Sequence, residues 1–333
     1  MNIKIKNLDE NNETFKSTNF KLLNIDKHII INYNKIIIFF LIFIIFAFCL
    51  LSLIFKIKKL NKKIKKLDSL NLVLSQEIEA IFSYTNNSKN ESCIYQLIKP
   101  MDVKGKQKVR IGKKGDGGYI LLNDFNNSRI AYSFGINNEI SFEEDLTTKD
   151  IEVFMYDHTI NQIPKFNPKF HWKKIGLTGK KGINKDMKTL KELIKENGHI
   201  HKKNMILKMD IEESEWEVFL YMNFDILRKF EYILVEFHFL NKYKSIYSKV
   251  FKKLNKTHQI FHLHCNNCGG IVNFDGYNIC YSLEISFVIK GKNTFIKSSE
   301  NYPVKDIDYT NCNSKPEINN FLNMYQLDNI FSI

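Results

Sequence analysis

Several apolar stretches of this 333-residue chain run straight into residues that can move protons or grip polar ligands. Ile130–Phe134 enters Gly135, Glu152–Tyr156 ends at Asp157, and Met205–Met209 ends at Asp210. Tyr232–Phe237 carries Glu236 and is followed by His238, and Ile260–Leu263 leads into His264, Asn266 and Asn267. A carboxylate or imidazole held beside a hydroxyl can take its proton as the oxygen attacks, which makes Asp210, Glu236 and His238 candidate catalytic groups. His238 adds a charge that ordinarily changes near neutrality. His264, Asn266 and Asn267 offer polar contacts to an acceptor. Asp210 has a second reading, as a cap of the helix led by Glu213-Ser214. Glu212, Glu213 and Glu215 read as first-turn acids favoured by the helix dipole, and Trp216 reads as core.

The densest cluster is His262-Leu263-His264-Cys265-Asn266-Asn267-Cys268-Gly269-Gly270. Strand alternation places His262 and His264 on one face. Zinc can be drawn on Cys265 and Cys268, but no second ligand pair of the usual spacing follows, and no metal is expected. A local disulfide or free thiols are the other readings. Cys93, Cys265, Cys268, Cys280 and Cys312 are five cysteines outside the apolar N-terminal run, an odd count that does not fix the redox compartment.

The elements that must position these residues alternate in type. Glu139–Lys149, Asp186–Asn197, a segment beginning near Ser214 and Ser245–Leu254 are helix-like; Phe170–Leu177 and Leu283–Ile289 join the strand-like runs. In Asp186–Asn197 the apolar positions Met187, Leu190, Leu193 and Ile194 have helical spacing, and Gly198 ends it. Alternation of this kind predicts an α/β fold with a doubly wound, mostly parallel sheet covered on both faces. Ligands of such sheets bind outside the carboxyl ends of the strands, where the residues named above fall. The last forty residues are poorly patterned.

The Ser133-Phe134-Gly135-Ile136 turn has one glycine rather than Gly-x-Gly-x-x-Gly, and there is no Walker A sequence, which disfavours a dinucleotide or a nucleoside triphosphate. Asp157 stands 22 residues after Gly135, where an acid can accept both hydroxyls of a ribose. An adenosine without a phosphate chain, as in S-adenosylmethionine, meets both conditions. An Asp after a strand is also a common helix cap.

Gly115-Asp116-Gly117-Gly118-Tyr119, Ala131-Tyr132-Ser133-Phe134-Gly135 and Ser141-Phe142-Glu143 open a series of blocks. Tyr156-Asp157, Leu207-Lys208-Met209-Asp210-Ile211-Glu212 with Glu215-Trp216, and Val235-Glu236-Phe237-His238 continue it in order. The series resembles the FkbM-type methyltransferases, in their membrane-anchored methyltransferase-like group, over roughly residues 93–290. The resemblance implies a Rossmann-like, S-adenosylmethionine-dependent transferase. It assigns Gly135, Glu139 and Asp157 to the cofactor, with Asp116 and Tyr119 closing over it. Ile136 and Asn137 depart from the family pattern, which has a second small residue after the glycine.

Ahead of this domain, Ile36–Phe55 holds no charge, Pro or Gly and reads as one transmembrane helix. Thirteen Lys against five acids fall in residues 1–70, so most of the net charge of +13 brackets that span and no nucleic-acid partner is implied. Lys56, Lys58, Lys59, Lys62, Lys63, Lys65 and Lys66 outnumber the lysines before the span, and the positive-inside rule then favours a cytosolic domain. Ile57, Leu60, Ile64, Leu67, Asn71, Leu74, Ile78 and Ile81 form a heptad seam that fits either a parallel homodimer or one amphipathic helix. Asn12, Asn86, Asn90, Asn126 and Asn255 begin Asn-x-Ser/Thr sequons. The expected organisation is an N-terminal tail over 1–35, the membrane span over 36–55 and a helical stalk over 56–85. The methyltransferase domain follows over 93–295, with a C-terminal tail over 296–333.

The lead function is a membrane-tethered methyltransferase acting on a hydroxylated small molecule, a glycan or a lipid head group. A glycosyltransferase would need a metal-binding Asp-x-Asp after a mid-domain strand, and Asp306-Ile307-Asp308 stands in the unpatterned tail. A dimeric membrane scaffold with a degenerate domain is the non-enzymatic alternative.

Overall fold

The computed structural model describes residues 38–61, 63, 97–182, 184–239, 244–274 and 277–319. The chain divides into two compact units, Met1–Asn90 and Glu91–Ile333. In the first, helix α1 (Ile38–Asn61) is long and apolar enough to cross a membrane. It runs on past Phe55 into the lysine-rich segment. Ile57 and Leu60 of the heptad seam fall on α1, and the seam from Ile64 onward lies outside the described residues.

The second unit is built on a seven-stranded sheet. Its strands are β4 (Ile130–Phe134), β5 (Glu152–Tyr156), β6 (Phe170–Lys173), β9 (Met205–Met209), β10 (Phe230–Phe237), β11 (His258–Phe274) and β12 (Tyr277–Ile289). They are ordered β11-β12-β10-β9-β4-β5-β6. The five strands from β10 to β6 are parallel, and β12 runs antiparallel to both of its neighbours. Short strands β1 (Met101–Val103), β2 (Lys108–Ile111), β3 (Tyr119–Leu122), β7 (Gly176–Leu177), β8 (Met187–Lys188) and β13 (Phe295–Lys297) pair beside it as β1-β13, β2-β3 and β7-β8.

The central strands are apolar on both faces because both faces are covered. Successive residues alternate between two cores, as a pleated strand requires. Tyr132, Leu207, Met209, Ile233 and Val235 face one core, and Ala131, Ile206 and Leu234 the other. The first core receives helices α3 (Leu190–Glu196), α4 (Glu215–Tyr221) and α6 (Lys244–Asn255), with the short α5 (Phe224–Leu227) beside them. Its centre is aromatic: Phe237 lies 4.7 Å from Trp216, 5.8 Å from Phe219 and 5.1 Å from Phe251, ring centre to ring centre. The second core is closed by α2 (Ser141–Thr148) and the β2-β3 hairpin. At the edge, β6 alternates half-buried Phe170 and Trp172 with exposed His171 and Lys173.

Three elements differ from their sequence expectation. Phe170–Leu177 is two strands, since β7 leaves the main sheet to pair with β8. The helix expected over 186–197 begins at Leu190, because Thr189 caps it. The Thr189 hydroxyl accepts the Glu192 N–H while the Glu192 carboxylate accepts the Thr189 N–H. The strands expected over 260–263 and 283–289 are the ends of one long β11-β12 hairpin. The segment expected as a tail also takes part in the domain: β13 pairs with β1, and the Cys268–Cys312 disulfide ties the following residues to β11. Thr189→Ala should lower stability by about 1 kcal/mol, read as a lower urea midpoint at unchanged slope.

Candidate active site

The carboxyl ends of β4, β5, β9 and β10 open into one cavity of about 630 Å³. Gly135 leaves β4 with φ +74°, and a Cβ on it would stand 1.5 Å from the Asp210 carbonyl oxygen. Only glycine fits there, so the loop after β4 lies against the end of β9. The backbone is laced at the same level: the Gly135 N–H donates to Tyr156 O and the Asp210 N–H to Phe134 O. From within β9, Lys208 donates to the carbonyls of Gly135 (2.6 Å) and Phe134 (3.3 Å).

Asp157 closes the loop from the β5 side. Its Oδ2 accepts the N–H groups of Ile136 (3.0 Å) and Asn137 (2.9 Å), and its Oδ1 accepts the N–H and hydroxyl of Thr159. Burial would raise this carboxyl, but the Thr159 and backbone hydrogen bonds outweigh it and hold Asp157 below its ordinary range. These four donors fill the lone pairs of the carboxylate. Asp157 therefore fixes the Ile136-Asn137 turn. Asn137 adopts φ +46° there, a conformation Asn tolerates better than most residues. At these two positions the backbone N–H groups face an acid.

Asp210, Glu236 and His238 all line the cavity. Burial, with the charges of Asp210 and Glu284, pushes Glu236 well up. Burial also raises Asp210, to about 6, against the pull of Lys208 and His238. Its side chain keeps 26% exposure to the cavity, so this desolvation is completed only when a ligand fills the opening. His238 departs from expectation. Burial lowers its pKa, but the Glu215 hydrogen bond and the charges of Glu236, Glu215 and Asp210 outweigh that and push it up to about 9. It is therefore a cation at neutral pH and holds no lone pair for a proton. Its Nδ1 lies 3.1 Å from Glu215 Oε1, and its Nε2 lies 3.5 Å from oxygens of Glu212 and Glu236 and 3.8 Å from Asp210 Oδ1. The capping reading of Asp210 fails: Ser214 caps α4 without a side-chain bond, and it is Glu215 that accepts the Ile211 N–H. Trp216 is core, and its indole N–H donates to His238 O.

Seen from the family side, a family model described as "Methyltransferase domain" matches residues 57–282. The chain belongs to that methyltransferase family. Neither a curated protein nor a solved structure matches it.

Of the other residues expected at the cofactor of a methyltransferase, Asp116 and Glu139 line the cavity. Glu139 pairs with Lys113 and accepts the Ser141 N–H, which together outweigh its burial and lower its pKa. Tyr119 stands behind the lining, buried, with its hydroxyl donating to Asp210 Oδ2 at 3.4 Å. Asn266 reaches the cavity and donates to Glu236 Oε1 at 2.7 Å.

His264 and Asn267 do not join Asn266. The β11-β12 register shifts after Asn266, and Asn267 turns to the C-terminal segment, bonding the backbone of Cys312 and Lys315. His264 is buried with Nδ1 3.0 Å from Glu284 Oε2. Against burial, the hydrogen bonds to Glu284 and Glu317 push it up to about 10. The cysteines beside them are disulfides, Cys265–Cys280 and Cys268–Cys312, which removes them as zinc ligands. Asp308 of the Asp-x-Asp accepts from His262 (2.8 Å) and from the Val304 N–H, so it braces β11.

Sequence reasoning missed Lys208, Glu143, Glu284 and Asn311. Lys208 and Glu284 are single charges inside apolar strands, a signal that was there to use. Glu143 is buried in α2 and accepts the Ser133 hydroxyl. Glu284 stands in register between Glu236 on β10 and His264 on β11. Asn311 donates to Glu284 and, at 3.4 Å, to Asp116. Two groups among the described residues have ligand atoms close enough to share a cation: Asp210, Glu215 and His238; and Asp116, Glu236 and Glu284.

His238 and His264 set a pH dependence. Both pKa values stand above the unfolded value of about 6.5, so their contribution is complete below that pH and is lost as pH rises toward about 9 and about 10. The Tm of the detergent-solubilised chain should fall between pH 7 and 9.5, and His264→Gln should flatten that slope.

Proposed function

We propose that this chain is a membrane-anchored, S-adenosylmethionine-dependent methyltransferase of the FkbM type. Its domain is doubly wound and Rossmann-like, and its acceptor is a hydroxyl of a small molecule, a glycan or a lipid head group. The observation that carries the reading is the convergence in one cavity of a side-chain-free loop at Gly135 with Asp210, Glu236 and His238. The strand order supports it, since the chain moves outward from β4 through β5 and β6 on one side and from β9 through β10 on the other, and ligands of such sheets bind at that switch point. Helix α1 and the heptad segment after it fit a single-pass anchor and the pairing of two chains.

The cavity suits this cofactor. S-adenosylmethionine supplies a methyl group on a positively charged sulfur, and carboxyl groups crowded at the strand ends favour a cationic ligand. The Gly135 loop lets a ligand approach the backbone, and Asp157 keeps that loop in place. Asp210 opens to the cavity and binds a proton more tightly than a free carboxylate while still ionising at neutral pH. It is the group to accept the hydroxyl proton as the acceptor oxygen attacks. Glu236, whose carboxyl burial pushes well up, stands beside it in the cavity lining, and the His238 cation orients Asp210. Aligning the reacting atoms and excluding water supply the rest.

S-adenosylmethionine at millimolar concentration should raise the Tm of the full chain; no rise would overturn the reading. Gly135→Ala should abolish the rise, and Asp157→Ala should weaken it. Asp210→Asn should retain the rise and lower kcat about 10²- to 10⁴-fold, measured as methyl transfer to an acceptor hydroxyl.

A further inference from the structure

Among the described residues beyond α1, every cysteine is paired. Cys265–Cys280 ties the two strands of the hairpin, and Cys268–Cys312 closes a separation of 44 residues. Each disulfide forms as two thiols give up two electrons and two protons to a disulfide-carrying oxidant. Such oxidants act in the secretory lumen and outside the cell, whereas cytosolic thiol pools keep cysteines reduced. The lysines after α1 point to the other side, but they bias insertion by charge alone, and large domains translocate largely regardless of charge. Two cross-links, one within the hairpin and one from it to the C-terminal segment, outweigh that bias.

A second, independent observation concerns the turn between β3 and β4. Asn126 is exposed there and begins the sequon Asn126-Asn127-Ser128. Ser128 is 1% exposed, and its hydroxyl has no hydrogen-bond partner. A buried hydroxyl without a partner destabilises a fold, and alanine would fill the position without that cost. The hydroxyl is accounted for by the sequon, which requires Ser or Thr two residues after the asparagine before the chain has folded. The other described sequon differs: the Asn255 amide donates to Leu97 O at 2.7 Å, so the folded domain uses that nitrogen itself. Asn126 also precedes β4, at the end of the sheet opposite the cavity, so a bulky group on it leaves the cavity open.

We propose that the domain lies on the non-cytosolic side of its membrane and carries an N-linked glycan on Asn126. The Asn126 Nδ2 bonds to the anomeric carbon of an oligosaccharide as that carbon's bond to a lipid-linked diphosphate breaks. The amide proton passes to solvent and the diphosphate leaves. Sidedness rests on the reading of α1 as a membrane anchor; the glycan does not depend on the methyltransferase activity.

The test is translation of the full chain into eukaryotic microsomes. Alkaline extraction should leave the chain in the membrane pellet. External protease should spare a fragment of domain size until detergent is added. Peptide N-glycosidase should increase the mobility of the chain. Asn126→Gln and Ser128→Ala should each remove the same single glycan step, while Asn255→Gln should keep it. Release by alkali would overturn the anchor reading alone. Digestion of the domain in sealed vesicles, or an unchanged glycan ladder in both Asn126→Gln and Ser128→Ala, would overturn the proposal.

Discussion

Acids gathered beside one cavity, most of them buried, must be neutralised, and much of this domain follows from how that is done. Asp116, Asp210, Glu215, Glu236 and Glu284 supply ligand atoms that gather into two groups beside one cavity. Like charges that close in a low dielectric cannot all stay ionised. The raised pKa values of Glu236 and Asp210 are one sign of the repulsion. The Lys208 ammonium at the level of Gly135 and the imidazolium of His238 relieve part of it. His264 does the same for Glu284 one strand further out. The cost of this arrangement makes the cavity receptive to a positively charged ligand, which relieves the same repulsion.

The scaffold serves this arrangement through close backbone contact. Gly135 lets β4 and β9 converge until a carbonyl of one fills the space of a side chain on the other. Lys208 uses that convergence to bond the loop carbonyls while remaining 4.0 Å from Asp210. The apolar interior below, with Trp216 and Phe237 packed at 4.7 Å, gives these polar ends a floor that does not yield. Methyl transfer asks mainly for fixed positions and exclusion of water, and a rigid floor under a short loop meets that demand.

Much of the frame was legible because β4, β5 and β9 are largely apolar runs stopped by Gly or Asp. The bounds of β4, β5 and β9 coincide with such stops, and the residues after them are the ones that meet at the cavity. The outer part was less legible for definite reasons. Polar residues inside β11 break the pattern that marks a strand, so a long hairpin read as two short pieces. Its register shift sends Asn267 away from Asn266, and alternation along one strand cannot anticipate a shift set by its partner. Cysteine pairing depends on three-dimensional proximity, so spacing left it open. The charge state of His238 depends on Glu215, the first residue of the next helix, which read as an ordinary first-turn acid.

The family match ends at residue 282, inside β12. Glu284 stands two positions beyond it, and Asn311, Asp308 and Glu317 brace the acids and histidines of the site from further still. A gene cut at that boundary would encode every matched residue and yet lose Leu283–Val288, the part of β12 that pairs with β10. The acids and histidines beside the cavity therefore take part of their setting from residues outside the matched range.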